Sequence, residues 1–151
     1  MSELPDCAAT RLMAAENGGN HVTSVAILTI RPGHPRLRPD VFAPPTDVYE
    51  TAGSVTIRME IAGAVVSQIS VVLDPDRRRV LIRGQRHDPA GMERRRYHNL
   101  EIQCGDFGRD VILPVPVDAG GAVATYHDGF LVVHLPKCPE CPPKSRSIRI
   151  E

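Results

Sequence analysis

The chain has 151 residues, the size of one domain with tails, and its 42% hydrophobic and 24% charged residues exclude wholesale disorder and a fibrous repeat. Lys and Arg number 18 and Asp and Glu 18, so no net charge draws the chain to nucleic acid or to an anionic membrane. No apolar run approaches the ~20 residues that cross a bilayer, and the opening MSELPDCAAT lacks a basic-then-apolar leader, so the cytosol is the expected address.

Residues 1–43 form an arm distinct in composition from the rest of the chain. Polar AAENGGN (14–20) precedes an apolar run, Val22 to Ile30, and then Pro32, Pro35 and Pro39 break up an arginine-rich stretch. The apolar run carries Val22, Val25, Ile27, Leu28 and Ile30. It is too short to span a membrane, and its periodicity fits strand and helix equally. From Thr46 the pattern becomes that of short strands, in keeping with 16 Val and 10 Ile against 10 Leu and with 14 Pro and 12 Gly. Ser54 to Ile61 alternates Val55, Ile57, Met59 and Ile61 with polar partners, which gives one buried and one wet face. Ile69 to Leu73 repeats this, Asp74-Pro75-Asp76 supplies a turn, and Arg79 to Arg86 makes the next strand. His87 to Arg96 is polar with Pro89 and Gly91, an excursion from the sheet. Strands are expected again at Tyr97 to Ile102, Arg109 to Leu113, Val123 to Tyr126 and Phe130 to Leu135, the last two joined by a His127-Asp128-Gly129 turn. A Pro-rich exit then ends in Ile148-Arg149-Ile150, two apolar residues on one side of an extended segment with no apolar neighbours of their own. They need a groove elsewhere.

The order of these features resembles the small heat-shock protein (α-crystallin domain) family. The resemblance is carried by Pro45-Thr46-Asp47-Val48-Tyr49-Glu50-Thr51, Glu60-Ile61-Ala62-Gly63 and Leu81-Ile82-Arg83-Gly84-Gln85-Arg86. It continues through Gly105-Asp106-Phe107-Gly108-Arg109 leading to Leu113-Pro114, Ala124-Thr125-Tyr126-His127-Asp128-Gly129-Phe130-Leu131, and the terminal Ile148-Arg149-Ile150. It implies an all-β, immunoglobulin-like sandwich over residues 44–136, between the arm and a 137–151 extension. It also implies a homodimer, in which a strand of the excursion (Met92, Arg94, Arg96, with Tyr97) reaches the partner's edge at Val48, Tyr49 and Glu50. The tail residues Ile148 and Ile150 would enter a groove of a neighbouring dimer, lined by Ile69, Val71 and Leu73 on one strand and Val123 and Thr125 on another. Burial of two Ile is worth on the order of 3–5 kcal/mol before ordering costs, which makes each link weak and exchangeable. The sequence departs from the family in an arm poor in aromatics, in Ile102 and Cys104 where polar residues are usual, and in Glu151 after the terminal motif.

The same resemblance implies an ATP-independent holdase for partly unfolded clients, with ATP-driven chaperones acting downstream; the arm residues Val22, Val25, Ile27, Leu28 and Ile30 read as an extra strand or oligomer-packing segment at rest and as client-binding surface once the oligomer dissociates. The alternative is a monomeric or dimeric adaptor on the same sandwich, serving one partner. No GxSxG or Gly-rich phosphate loop is present, and the six histidines lack ligand spacing, so neither an enzyme nor a cofactor is expected. His134 shares a strand face with Phe130 and Val132 and reads as a sheet histidine. Cys7, Cys104, Cys138 and Cys141 are read as thiols without a bridge. Cys138 and Cys141 form a CxxC with no second ligand pair, a weak zinc or redox candidate.

Overall fold

The computed structural model describes residues 41–74, 76–91 and 94–138, and before them the backbone of two short strands, β1 (Thr23–Ser24) and β2 (Leu28–Ile30). Seven more strands complete it: β3 (Thr46–Glu50), β4 (Ser54–Glu60), β5 (Ser70–Leu73), β6 (Arg79–Arg86), β7 (Gly105–Ile112), β8 (Val123–His127) and β9 (Phe130–Pro136). One sheet has the order β1-β8-β9-β4-β3 and the other β2-β5-β6-β7, packed as an immunoglobulin-like β-sandwich. Every described pairing is antiparallel except β2 on β5, which is parallel.

The period-2 pattern of β4 explains its place. Val55, Ile57 and Met59 pair with Leu135, Val133 and Leu131 of β9, and all six are sealed. Opposite them lie Val71, Leu73, Val80, Ile82, Phe107 and Val111 of the second sheet. Full burial of such side chains contributes about 1.5–3 kcal/mol each, so this interdigitated layer dominates the stability of the sandwich. Tyr126 anchors the layer's end: its hydroxyl donates to the Ile61 carbonyl at 3.1 Å.

The turns match their residue chemistry. In the β5–β6 hairpin the Asp76 N–H donates to Asp74 Oδ1 at 3.0 Å, and Arg77 takes a left-handed φ of 56°. Asp128 and Gly129 have φ of 49° and 84°, the positive pair that a two-residue hairpin requires between β8 and β9. Across β6–β7, Arg79 forms a two-pronged ion pair with Asp110, its Nε donating at 2.6 Å, and that carboxylate holds the guanidinium above its usual pKa.

Two expectations fail here. Residues 97–102 form no strand: Tyr97 and Leu100 fall out of period-2 phase, and Tyr97, Leu100 and Ile102 are exposed. The next strand begins at Gly105, four residues before the expected Arg109. Two glycines mask it in the sequence. What fixes it is the contact of Phe107 with Gly84: a Cβ at Gly84 would lie 2.3 Å from Phe107 Cζ, so the ring fills the space that a side chain would need.

Candidate functional site

The features able to bind another chain are the sheet edges. β3 ends the first sheet, and its register with β4 puts Val48 opposite the sealed Ile57. Val48 nevertheless stays 43% exposed. On the outer face Tyr49 stands opposite Thr56 and remains 50% exposed. Polar contacts hold this edge strand in place. Arg58 Nη2 donates to Asp47 Oδ2 at 2.7 Å, Lys137 pairs with Glu50 at 3.2 Å, and Arg109 Nε of β7 donates to Thr46 Oγ1 at 3.2 Å. Val48, Tyr49 and Glu50 therefore sit on an exposed edge strand.

The excursion between β6 and β7 lies on the surface. Asp88 organises its start, accepting from the Ala90 N–H at 3.0 Å and pairing with Arg95. The Arg95 guanidinium also stacks 5.3 Å from the Tyr97 ring centroid. Arg94, Arg96 and Tyr97 are exposed, as are Leu100 and Ile102, the latter at 74%. An open groove of about 950 Å³ runs beside them, with Phe42, Tyr97, Leu100, Ile102 and Cys104 in its lining. No strand is present among described residues 94–104. Met92 lies outside the described residues.

The opposite side of the sandwich, between β5 and β8, carries the other expected docking surface. Ile69, Val71 and Leu73 face inward there. Val123 and Thr125 do not. Register with β9 puts Ala124 and Tyr126 opposite the sealed Val133 and Leu131, so these two face the core, while Val123 and Thr125 pair with the outward His134 and Val132. The pairing register thus fixes the faces of β8, which a one-residue slip would exchange. Strict alternation from Phe130 back through the two-residue turn carries the correct phase. Both edges here are also occupied: Thr23 and Ser24 pair with Tyr126 and Thr125, and Leu28, Thr29 and Ile30 with Val71, Val72 and Leu73. The run whose periodicity fits strand and helix equally thus contributes two strands. Val22, Val25 and Ile27, with the tail's Ile148 and Ile150, lie outside the described residues.

Residues 47–151 match the model of the Hsp20/alpha crystallin family. The chain belongs to that family. It is 33% identical over 109 residues to spore protein SP21 of Stigmatella aurantiaca, covering 72% of this chain and 63% of the relative. It is 32% identical over 102 residues to the 17.0 kDa class II heat shock protein of Zea mays, covering 68% and 65%. The chain thus spans somewhat less than two thirds of the length of these curated relatives. Among solved structures it is similar to heat shock protein 16.0 from Schizosaccharomyces pombe, with a TM-score of 0.59, 26% identity and coverage of 75% of this chain and 78% of that one. It is also similar to hspA from Xanthomonas axonopodis, with a TM-score of 0.57, 31% identity and coverage of 65% and 96%.

His134 is exposed on the outer face of β9, and His127 Nδ1 lies 2.8 Å from Asp128 in the hairpin. Among the described residues no group of three or more His, Cys, Asp or Glu side chains could hold a metal ion. No helix among them is long and apolar enough to cross a membrane. One cysteine expectation is corrected: Cys138 is disulfide-bonded, to a partner outside the described residues, whereas Cys104 is a free, exposed thiol. Cys7 and Cys141 also lie outside the described residues. Compartment averages set the prior for thiols, but bridging is decided by local geometry, which composition does not contain.

Proposed function

We propose that the protein is an ATP-independent holdase of the cytosol, which binds partly unfolded chains through apolar surface, prevents their aggregation and passes them to ATP-driven chaperones. The observation that carries this reading is family membership together with an exposed edge strand, β3, whose inner face is left uncovered at Val48. A homodimer forms when the excursion, with Met92, Arg94, Arg96 and Tyr97, adds to the partner's β3 edge at Val48, Tyr49 and Glu50. Dimers join when Ile148 and Ile150 of one dimer dock between β5 and β8 of another. Such links are weak, so assemblies come apart under stress and release the surface that association conceals. Leu100 and Ile102, exposed beside the excursion, add to that surface. The mechanism is mass action on non-native chains and uses no catalytic residue or cofactor.

The experiment is light scattering of a heat-labile enzyme, heated with and without this protein in the absence of ATP. Suppression that scales with the molar ratio of the two proteins supports the holdase. Full aggregation at a molar excess of this protein would refute it.

A further inference from the structure

The β5 and β8 edges are the expected landing site for the terminal isoleucines, and in this chain the arm already lies along both. β1 runs antiparallel to β8 at Thr23–Tyr126 and Ser24–Thr125, and β2 runs parallel to β5 at Leu28–Val71, Thr29–Val72 and Ile30–Leu73. Four residue steps separate Ser24 from Leu28, an extended reach of about 13 Å, enough to pass between sheets packed roughly 10 Å apart. One short stretch therefore serves the edges of both sheets on the same side of the sandwich. By contrast, β3 has no such strand of its own chain among the described residues.

Leu28-Thr29-Ile30 also has the apolar-polar-apolar order of Ile148-Arg149-Ile150. Its two apolar positions stand opposite Val71 and Leu73, which are 2% and 0% exposed. An edge strand can pair with one added strand at a time, because each outward N–H and C=O is used once. Two segments of like pattern thus address a single row of donors and acceptors.

We infer that the arm is an internal competitor of the tail: β1 and β2 occupy the β8 and β5 edges of their own subunit, and the terminal Ile148-Arg149-Ile150 of another subunit binds only when they leave. This rests on the tail-docking reading above and adds its regulation. An arm that leaves these edges frees them for a tail and exposes its own apolar run to clients, a second route to client-binding surface beside dissociation of the assembly.

The test uses full-length chains in an Ile148→Ala/Ile150→Ala background, which removes the chain's own tail from the competition. Thr29→Pro and the pair Leu28→Pro/Ile30→Pro are compared with the parent, so that whichever N–H of β2 bonds to β5 is removed in one of them. Amide exchange in β4 and β9 reports whether the sandwich remains folded. If the arm covers the edge, amides of β5 that face away from β6 exchange at least about tenfold faster in one of the proline variants. Unchanged exchange in both would overturn the inference. A labelled peptide of residues 144–151 is then titrated into each protein. Binding at least about tenfold tighter to that variant than to the parent is expected, and equal affinity would refute the competition. If the peptide binds no version at all, tail docking fails and the competition with it, while the exchange result still decides whether the arm covers the edge.

Discussion

Val48 and Ile57 face each other across the β3–β4 ladder and share the inner side of one sheet, yet Ile57 is sealed and Val48 is 43% exposed. That asymmetry separates a core residue from an uncovered one within a single pair, and on the proposed dimer the uncovered one meets the partner. Val48→Asp leaves the sealed layer at Ile57 untouched but places a charge where the partner's strand packs in the proposed dimer. The sandwich should keep its thermal midpoint within a few degrees, while dimer dissociation rises at least about tenfold, as measured by sedimentation across a dilution series. An unchanged dissociation constant would remove β3 from the interface.

Gly84 tests the core. With Phe107 Cζ 2.3 Å from where a Cβ would sit, Gly84→Ala forces the ring or the β6–β7 ladder to shift, at a cost of about 1–3 kcal/mol. Gly53 has nothing within 4 Å of the corresponding position and serves as the control. Denaturant unfolding should separate the two, with Gly53→Ala near neutral. Equal midpoints would show that the ring moves freely.

Tyr126→Phe deletes the 3.1 Å hydrogen bond to the Ile61 carbonyl while keeping the ring. The Ala64 N–H also reaches that carbonyl, at 3.2 Å. The expected loss is therefore about 0.5–1.5 kcal/mol in chemical denaturation, without a change in assembly mass.

Removal of residues 148–151 should shrink the assembly toward dimers and leave the β-sheet circular dichroism intact. The same elution volume before and after the truncation would contradict tail docking.

Strands with a strict period of two are legible from residue order: Val55, Ile57 and Met59, or Leu131, Val133 and Leu135, announce one sealed face. The Asp128-Gly129 turn is legible because few residue pairs accept two positive φ values. Less visible are features set by distant partners. β7 owes its start to the fit of Phe107 against Gly84, which no local window contains. Ala124 and Tyr126 escape notice as inward residues because Ala is weakly apolar and Val123 and Thr125 are the better strand formers, so propensity outweighs phase. The pairing of the arm with β5 and β8 depends on where the chain returns in space.

The most direct test of assembly through sheet edges is the native mass of the full chain by multi-angle light scattering over a wide concentration range. The expected result is an even multiple of the 16.5 kDa subunit that falls on dilution. A mass of 16.5 kDa at every concentration would contradict it and leave a monomeric adaptor on the same sandwich.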